Sequence, residues 1–135
     1  MNGFYAPFYK KIMNIEVSTG EIVDKFTILS IKLSRITDRV KLENIMKEYN
    51  YLNEIIMSLN IEDHDLDSLF EVNKALWDIE DKIREREGME LFDDEFINLA
   101  RSVYMQNDLR AILKKQINIK YKSAFIEEKS YAKYD

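Results

Sequence analysis

The chain has no cysteine, one histidine, one proline and three glycines in 135 residues. Without cysteine there is no disulfide framework, no thiolate nucleophile and no cysteine-based zinc site, and the usage fits a reducing compartment. A single histidine, His64, denies the chain the Glu-x-x-His pairs of a di-iron bundle and makes a Ser-His-Asp triad untenable. Three scattered glycines exclude a Gly-rich phosphate loop. No stretch approaches the roughly 18 consecutive apolar residues that a membrane span requires. Met1 to Met13 lacks the order of charge, apolar run and small-residue cleavage site of a signal peptide. The expectation is a cytoplasmic protein with no membrane partner.

What remains is a composition of 46% hydrophobic and 33% charged residues. With so few turn formers, that favours long helices over strands and tight loops. The net charge of −5 is unevenly spread. Residues 62–95 carry 4 basic and 14 acidic side chains, whereas residues 96–135 carry 8 and 4. Nonspecific duplex binding needs a basic face, so no nucleic-acid partner is expected. The basic last third, with Arg101, Arg110, Lys114, Lys115, Lys120 and Lys122, offers charge for a small anion or for the acidic third helix.

Four helices can be read with their ends. Ser18 and Glu21 form a capping box with Val17 and Ile22 as its staple. Ile22, Phe26, Leu29, Leu33 and Ile36 then run at helical spacing until Thr37-Asp38 caps a second helix, which ends near Asn60. That helix carries Leu42, Ile45, Tyr49, Leu52, Ile55 and Ile56 on one face and reads as scaffold. A third begins in the acidic segment Glu62–Asp67 and stops at Gly88, a C′ residue by type. A fourth runs from Asp93-Asp94 to about Lys120. The tail from Ser123 to Asp135 either packs back or frays. The fold class expected is all-α: an antiparallel bundle of four long helices with a C-terminal tail. Residues 1–12 read as an arm and 13–135 as the single bundle domain. Ile28 and Ile31 project away from the first helix's stripe, which implies a second contact with the tail or another subunit.

Polar residues interrupt the apolar faces. Asn73, Glu80 and Arg84 fall inside the stripe set by Leu66, Leu69, Phe70, Leu76, Trp77 and Ile83. On the fourth helix the line Phe96, Ala100, Val103 continues as Asn107, Arg110, Lys114 and Asn118. If the third and fourth helices form a hairpin turning near residue 90, Glu80 lies level with Arg101, Trp77 with Tyr104, and Asn73 with Asn107-Asp108. Buried charge must be paired, so two readings compete. One is a closed network, Glu80 with Arg84 and Arg101 and Asn73 with Asp108, that sets helix register. The other is a small-anion site built from Arg84, Arg101, Arg110 and Lys114. Asn73, Asn107 and Asp108 would add hydrogen bonds, the polar edge Glu21, Lys25 and Lys32 would complete it, and Glu80 is the candidate acid–base residue.

Metal chemistry finds little support. Asp63, Asp65 and Asp67 imitate a calcium loop, but Ser68 replaces its glycine and Lys74 its bidentate glutamate. A magnesium site of Glu21, Asp24 and Glu80 rests on spacings common in any acidic helix. Neither a metal nor a cofactor is expected.

Four segments, Ile15–Lys25, Asn73–Asp81, Leu99–Arg110 and Glu127–Tyr131, together resemble a family of short uncharacterised bacterial and phage proteins, a domain of unknown function. The resemblance covers about residues 13–135 and carries no activity or catalytic residue. It implies a setting beside genes for cell-surface sugar assembly, and hence a sugar-phosphate or nucleotide-sugar ligand. In layout alone, all-helical chorismate mutases are analogous, since they line a bundle interior with similar side chains. The function expected is binding of a small anionic metabolite (sugar phosphate, nucleotide or carboxylate), with catalysis undecided and a homo-oligomer admissible. The alternative is a protein-interaction or structural subunit with a ligand-free network.

Overall fold

The structure, a computed structural model, describes residues 11–135. Of the expected arm, positions 1–10 lie outside the described residues, while Lys11 and Ile12 are exposed and non-helical. Four helices follow: α1 (Thr19–Arg35), α2 (Arg39–Leu59), α3 (Asp63–Gly88) and α4 (Asp94–Lys120). The fold is all-α, as the composition predicts.

Local chemistry sets most helix ends. Ser18 Oγ accepts from Glu21 N at 3.0 Å, Asp38 from Lys41 N at 2.9 Å and Asp93 from Phe96 N at 3.1 Å. Asn60 ends α2 in the left-handed region at φ 52°. Gly88 departs from its expected role. It remains helical, and the left-handed residue of the α3–α4 turn is Glu90 at φ 55°.

The central element is α1, which packs against all three other helices. Paired contacts set the directions. Val23 clusters with Ile56, and Leu29 further along α1 clusters with the earlier Ile45 and Leu52, so α1 and α2 form an antiparallel hairpin. Gly20–Asn118 and Asp24–Arg110 make α1 antiparallel to α4, whereas Asp24–Asn73 and Arg35–Asp78 run it parallel to α3. Apolar clusters form on two sides of α1. One joins Val23, Ile56, Leu69 and Ile117, the other Leu29, Ile45 and Leu52. Burying these side chains supplies the main stabilisation, roughly 1.5–3 kcal/mol for each large one.

Ile31 is buried and Ile28 half-buried, and both face α3 beside Leu76 and Trp77. Within this chain, their second contact is with α3 rather than with the tail. At the far end of the α3–α4 hairpin, Asp65 accepts from Lys120 Nζ at 2.8 Å and from the Tyr121 hydroxyl at 2.7 Å. Desolvation pulls the Asp65 carboxyl up, but these donated bonds together outweigh it and hold the group below the usual carboxylate range.

At Gly20 the backbones of α1 and α4 lie close together. A β-carbon there would stand 2.6 Å from the Lys114 carbonyl oxygen and 2.9 Å from Asn118 Oδ1. Gly20→Ala gains about 1 kcal/mol of helix propensity, yet it must push two backbones apart at a cost of about 1–3 kcal/mol. It also disturbs the Gly20 N–H to Asn118 bond. The net expectation is a lower urea midpoint, and a raised one would refute the close approach. For Asp65 the depressed folded pKa means stabilisation present above the unfolded value near 4 and lost as pH falls through the folded one. Asp65→Asn should thus lower stability at pH 7, with the gap to the parent closing below about pH 4. Thermal melts across pH 2–7, as about the usual accessible range, read this directly.

Candidate functional site

The site grows from one carboxylate. Asp24, 1% exposed, sits on the side of α1 turned toward α3 and α4. Its Oδ1 accepts from Arg110 Nε at 2.9 Å and from Asn73 Nδ2 at 2.8 Å, while Oδ2 accepts from Arg110 Nη2. Asn73 also donates to Thr27 Oγ1 at 2.9 Å, and Thr27 returns its proton to the Asp24 carbonyl at 2.7 Å. Lys114 Nζ lies 3.9 Å from Oδ2 and donates to Glu21 Oε2 at 2.6 Å. A fork-on-fork arginine–carboxylate pair is the strongest arrangement available to these groups. The hydrogen bond to Asp24 raises the Arg110 pKa against the opposing effect of desolvation, so the guanidinium stays charged.

One turn toward the N-terminus of α1, a second network ties in the tail. Asn118 Oδ1 accepts from Gly20 N at 2.6 Å. Glu127 Oε1 accepts from Ser18 Oγ at 2.6 Å and from Asn118 Nδ2 at 3.3 Å. Beyond it, Lys115 Nζ donates to both oxygens of Glu128 at 2.9 Å, and the Tyr134 hydroxyl donates to Asp108 at 2.7 Å. The tail therefore runs back along α4 from its C-terminal end.

Two hollows meet at Arg110. A cleft of about 500 Å³ lies among α1, α3 and α4, with Ile28, Ile31, Leu76 and Trp77 as apolar walls, Asn73, Asn107 and Arg110 as polar ones, and Glu80, Asp81 and Arg84 at the rim. A smaller pocket of about 130 Å³ between α4 and the tail is walled by Arg110, Lys114, Lys115 and Lys129, with Asn118 and Glu127. Four cations against one carboxylate leave its lining at +3. Three of those cations lean on acids outside it: Asp24, Glu21 and Glu128. Among the described residues Lys129 has no carboxylate partner, and its Nζ lies 5.5 Å over the Tyr131 ring.

The structure brings together Asn73, Asn107, Arg110, Lys114 and Glu21 from the expected set. Others stand elsewhere. Asn73 pairs with Asp24 rather than Asp108, which takes Tyr134 instead. Glu80 and Arg84 pair with each other as expected, but at the rim, where Arg84 is 71% exposed. Arg101 is exposed, lines neither hollow and does not meet Glu80. Lys25 turns to α2 and pairs with Glu48 at 2.9 Å, and Lys32 lines neither hollow. Among the described residues no cluster of three His, Asp or Glu side chains could hold a metal ion. The carboxylates of the magnesium reading are committed to Lys114, Arg110 and Arg84.

Thr27 and Lys129 were not foreseen as site residues, and Asp24 was weighed only as a magnesium ligand, not as the partner of Arg110 and Asn73. The available signal was Asp24 itself, flanked at helical spacing by Gly20, Thr27 and Ile31, small or apolar positions in which a carboxylate is out of place.

A model described as a family of unknown function, DUF6165, matches residues 13–134. The chain belongs to that family. The DUF6165 match takes in all four helices and the tail residues Glu127, Lys129 and Tyr134, so both walls of the basic pocket lie inside it. No curated protein and no solved structure is significantly similar to the chain.

Removing either partner of the Asp24–Arg110 pair strands the other charge, at about 3 kcal/mol or more for a site this enclosed. Asp24→Ala combined with Arg110→Ala should cost clearly less than the two single losses added, with a coupling of about 1.5–3 kcal/mol. Urea unfolding of the four proteins measures it. Additive losses would show that the pair does not act as a unit.

Proposed function

We propose that the protein binds a small anionic metabolite, a sugar phosphate, nucleotide or carboxylate, with its anionic group in the basic pocket between α4 and the tail. The observation that carries this reading is Arg110, which lines the basic pocket and the Trp77 cleft at once. With Nε and Nη2 committed to Asp24, its Nη1 group makes no hydrogen bond among the described residues and is available to a ligand. An anion lodged among Arg110, Lys114, Lys115 and Lys129 leaves its organic part beside the cleft. There Asn73, Asn107 and Glu80 offer donors and acceptors to hydroxyl groups, and Trp77 offers a flat apolar face. Glu80 is the acid–base candidate if a reaction occurs, and Arg84 orients it.

A second reading has an observation of its own. Three of the pocket's four cations already hold carboxylates, and α4 leaves Ile97, Met105, Leu109, Ile112 and Ile119 exposed. A closed network behind an apolar helix face suits a structural or protein-binding subunit, including a homo-oligomer.

Thermal shift against inorganic phosphate, ribose 5-phosphate, glucose 1-phosphate and succinate separates them. Ligand at about 100 times its Kd should stabilise the fold by about 2.7 kcal/mol. Lys129→Ala should leave unliganded stability within about 0.5 kcal/mol and weaken phosphate-ester binding by about 3- to 10-fold. No stabilisation by any of these anions at millimolar concentration, together with a concentration-dependent mass in light scattering, would favour the second reading.

A further inference from the structure

Past Asn107, α4 and the tail enclose a third hollow of about 630 Å³. Tyr104, Tyr131 and Tyr134 wall it, together with Asn107, Asp108 and Lys129. The rings are 41, 76 and 57% exposed in that order, so their own burial does not explain their arrangement. They are nonetheless held. Tyr134 donates to Asp108 Oδ2 at 2.7 Å, and its ring meets Tyr104 edge-on, with centroids 5.1 Å apart and planes at 73°. Tyr131 lies under the Lys129 ammonium. These contacts fix the rings and leave their exposed faces open to a flat partner.

Charge says what the flat group carries. Lys129 lines this cup and the basic pocket alike, so the two hollows adjoin at a cation without a carboxylate partner among the described residues. An aromatic group in the cup thus sits next to the proposed anion position. The cup's polar edge suits a nitrogen heterocycle. The Asn107 amide both donates and accepts, and Asp108 Oδ1, free of hydrogen bonds among the described residues, accepts from ring or exocyclic N–H groups.

We infer that the anionic ligand is a nucleotide, its base held in the cup by Tyr104, Tyr131 and Tyr134 and its phosphate in the adjoining basic pocket. This rests on the proposed anion site and narrows its ligand class. The base stacks on tyrosine faces, which is sequence-tolerant, while Asn107 and Asp108 select among bases by their edges. A nucleoside monophosphate spans the cup and the basic pocket.

The test is calorimetric titration of the full chain with AMP, GMP, CMP and UMP, with ribose 5-phosphate as the base-free control. The tightest nucleotide should bind about tenfold or more tightly than ribose 5-phosphate, the contribution of one stacked base. Tyr131→Ala, at an exposed position outside every helix, should bring that nucleotide down to the affinity of ribose 5-phosphate and leave the control unchanged. Equal affinity for nucleotides and ribose 5-phosphate, insensitive to Tyr131, would overturn the inference and leave the anion site standing. If neither class binds, both fall.

Discussion

A carboxylate with almost no access to water has to find its donors inside the protein, and Asp24 finds them on two other helices. Arg110 comes from α4 and Asn73 from α3, while Thr27 of its own helix completes the circuit. A slip of one turn between α1 and α4 would bury the charge without its guanidinium, at a cost of several kcal/mol. Register is therefore an electrostatic matter here, decided at one depth in the bundle. The same pairing stands Arg110 between two hollows, so the group that sets the architecture also lines both. Its Asp24-facing nitrogens serve the fold, while Nη1 makes no hydrogen bond among the described residues.

The second constraint is steric. Gly20 lets the start of α1 lie against the end of α4, and Asn118 fills the gap with a hydrogen bond that any side chain at position 20 would disturb. Glu127 then spans Ser18 and Asn118, so a carboxylate from the tail lies at the N-terminus of α1, where the helix dipole favours it. The remaining ion pairs, such as Arg39–Glu43 and Lys25–Glu48, lie in solvent and contribute little. Long-range charge still matters in aggregate. The acidic α3 and basic α4 lie side by side, pinned near the two ends of their hairpin by Arg86–Glu95 and Lys120–Asp65.

The helices were legible because their ends are local: Ser18, Asp38, Asn60 and Asp93 do chemistry within a few residues of themselves. The polar line Asn107, Arg110, Lys114 and Asn118 was legible for a related reason, since helical phase persists along an unbroken helix. Phase failed where its premise of a third packing partner failed. With 17 residues, α1 is shorter than α3 and α4, with 26 and 27. Near the hairpin's turn, Arg84 and Arg101 therefore meet water instead of an interior. Asp24 was not legible as the centre of the network for the opposite reason. A helix flanked by three others buries most of its circumference, and no single stripe exists for a polar residue to interrupt. The tail has no period, so Lys129 and the tyrosine cup could come only from coordinates. Gly88 shows the limit of residue type as a guide, because Glu90 holds the left-handed position nearby.

One asymmetry remains in how the rods are joined. While α1, α3 and α4 touch one another in every combination, α2 has α1 as its sole helical neighbour among the described residues, with Ile56 reaching the cluster of Leu69 and Ile117. Native-state opening should then be graded. The Arg39 end of α2 can lift away and rehydrate Leu29 while the three-helix remainder stays shut around Asp24. Amide protons along α2 would trade with solvent well before those of α1, so the least protected of the four helices lies on the flank away from the ion pair.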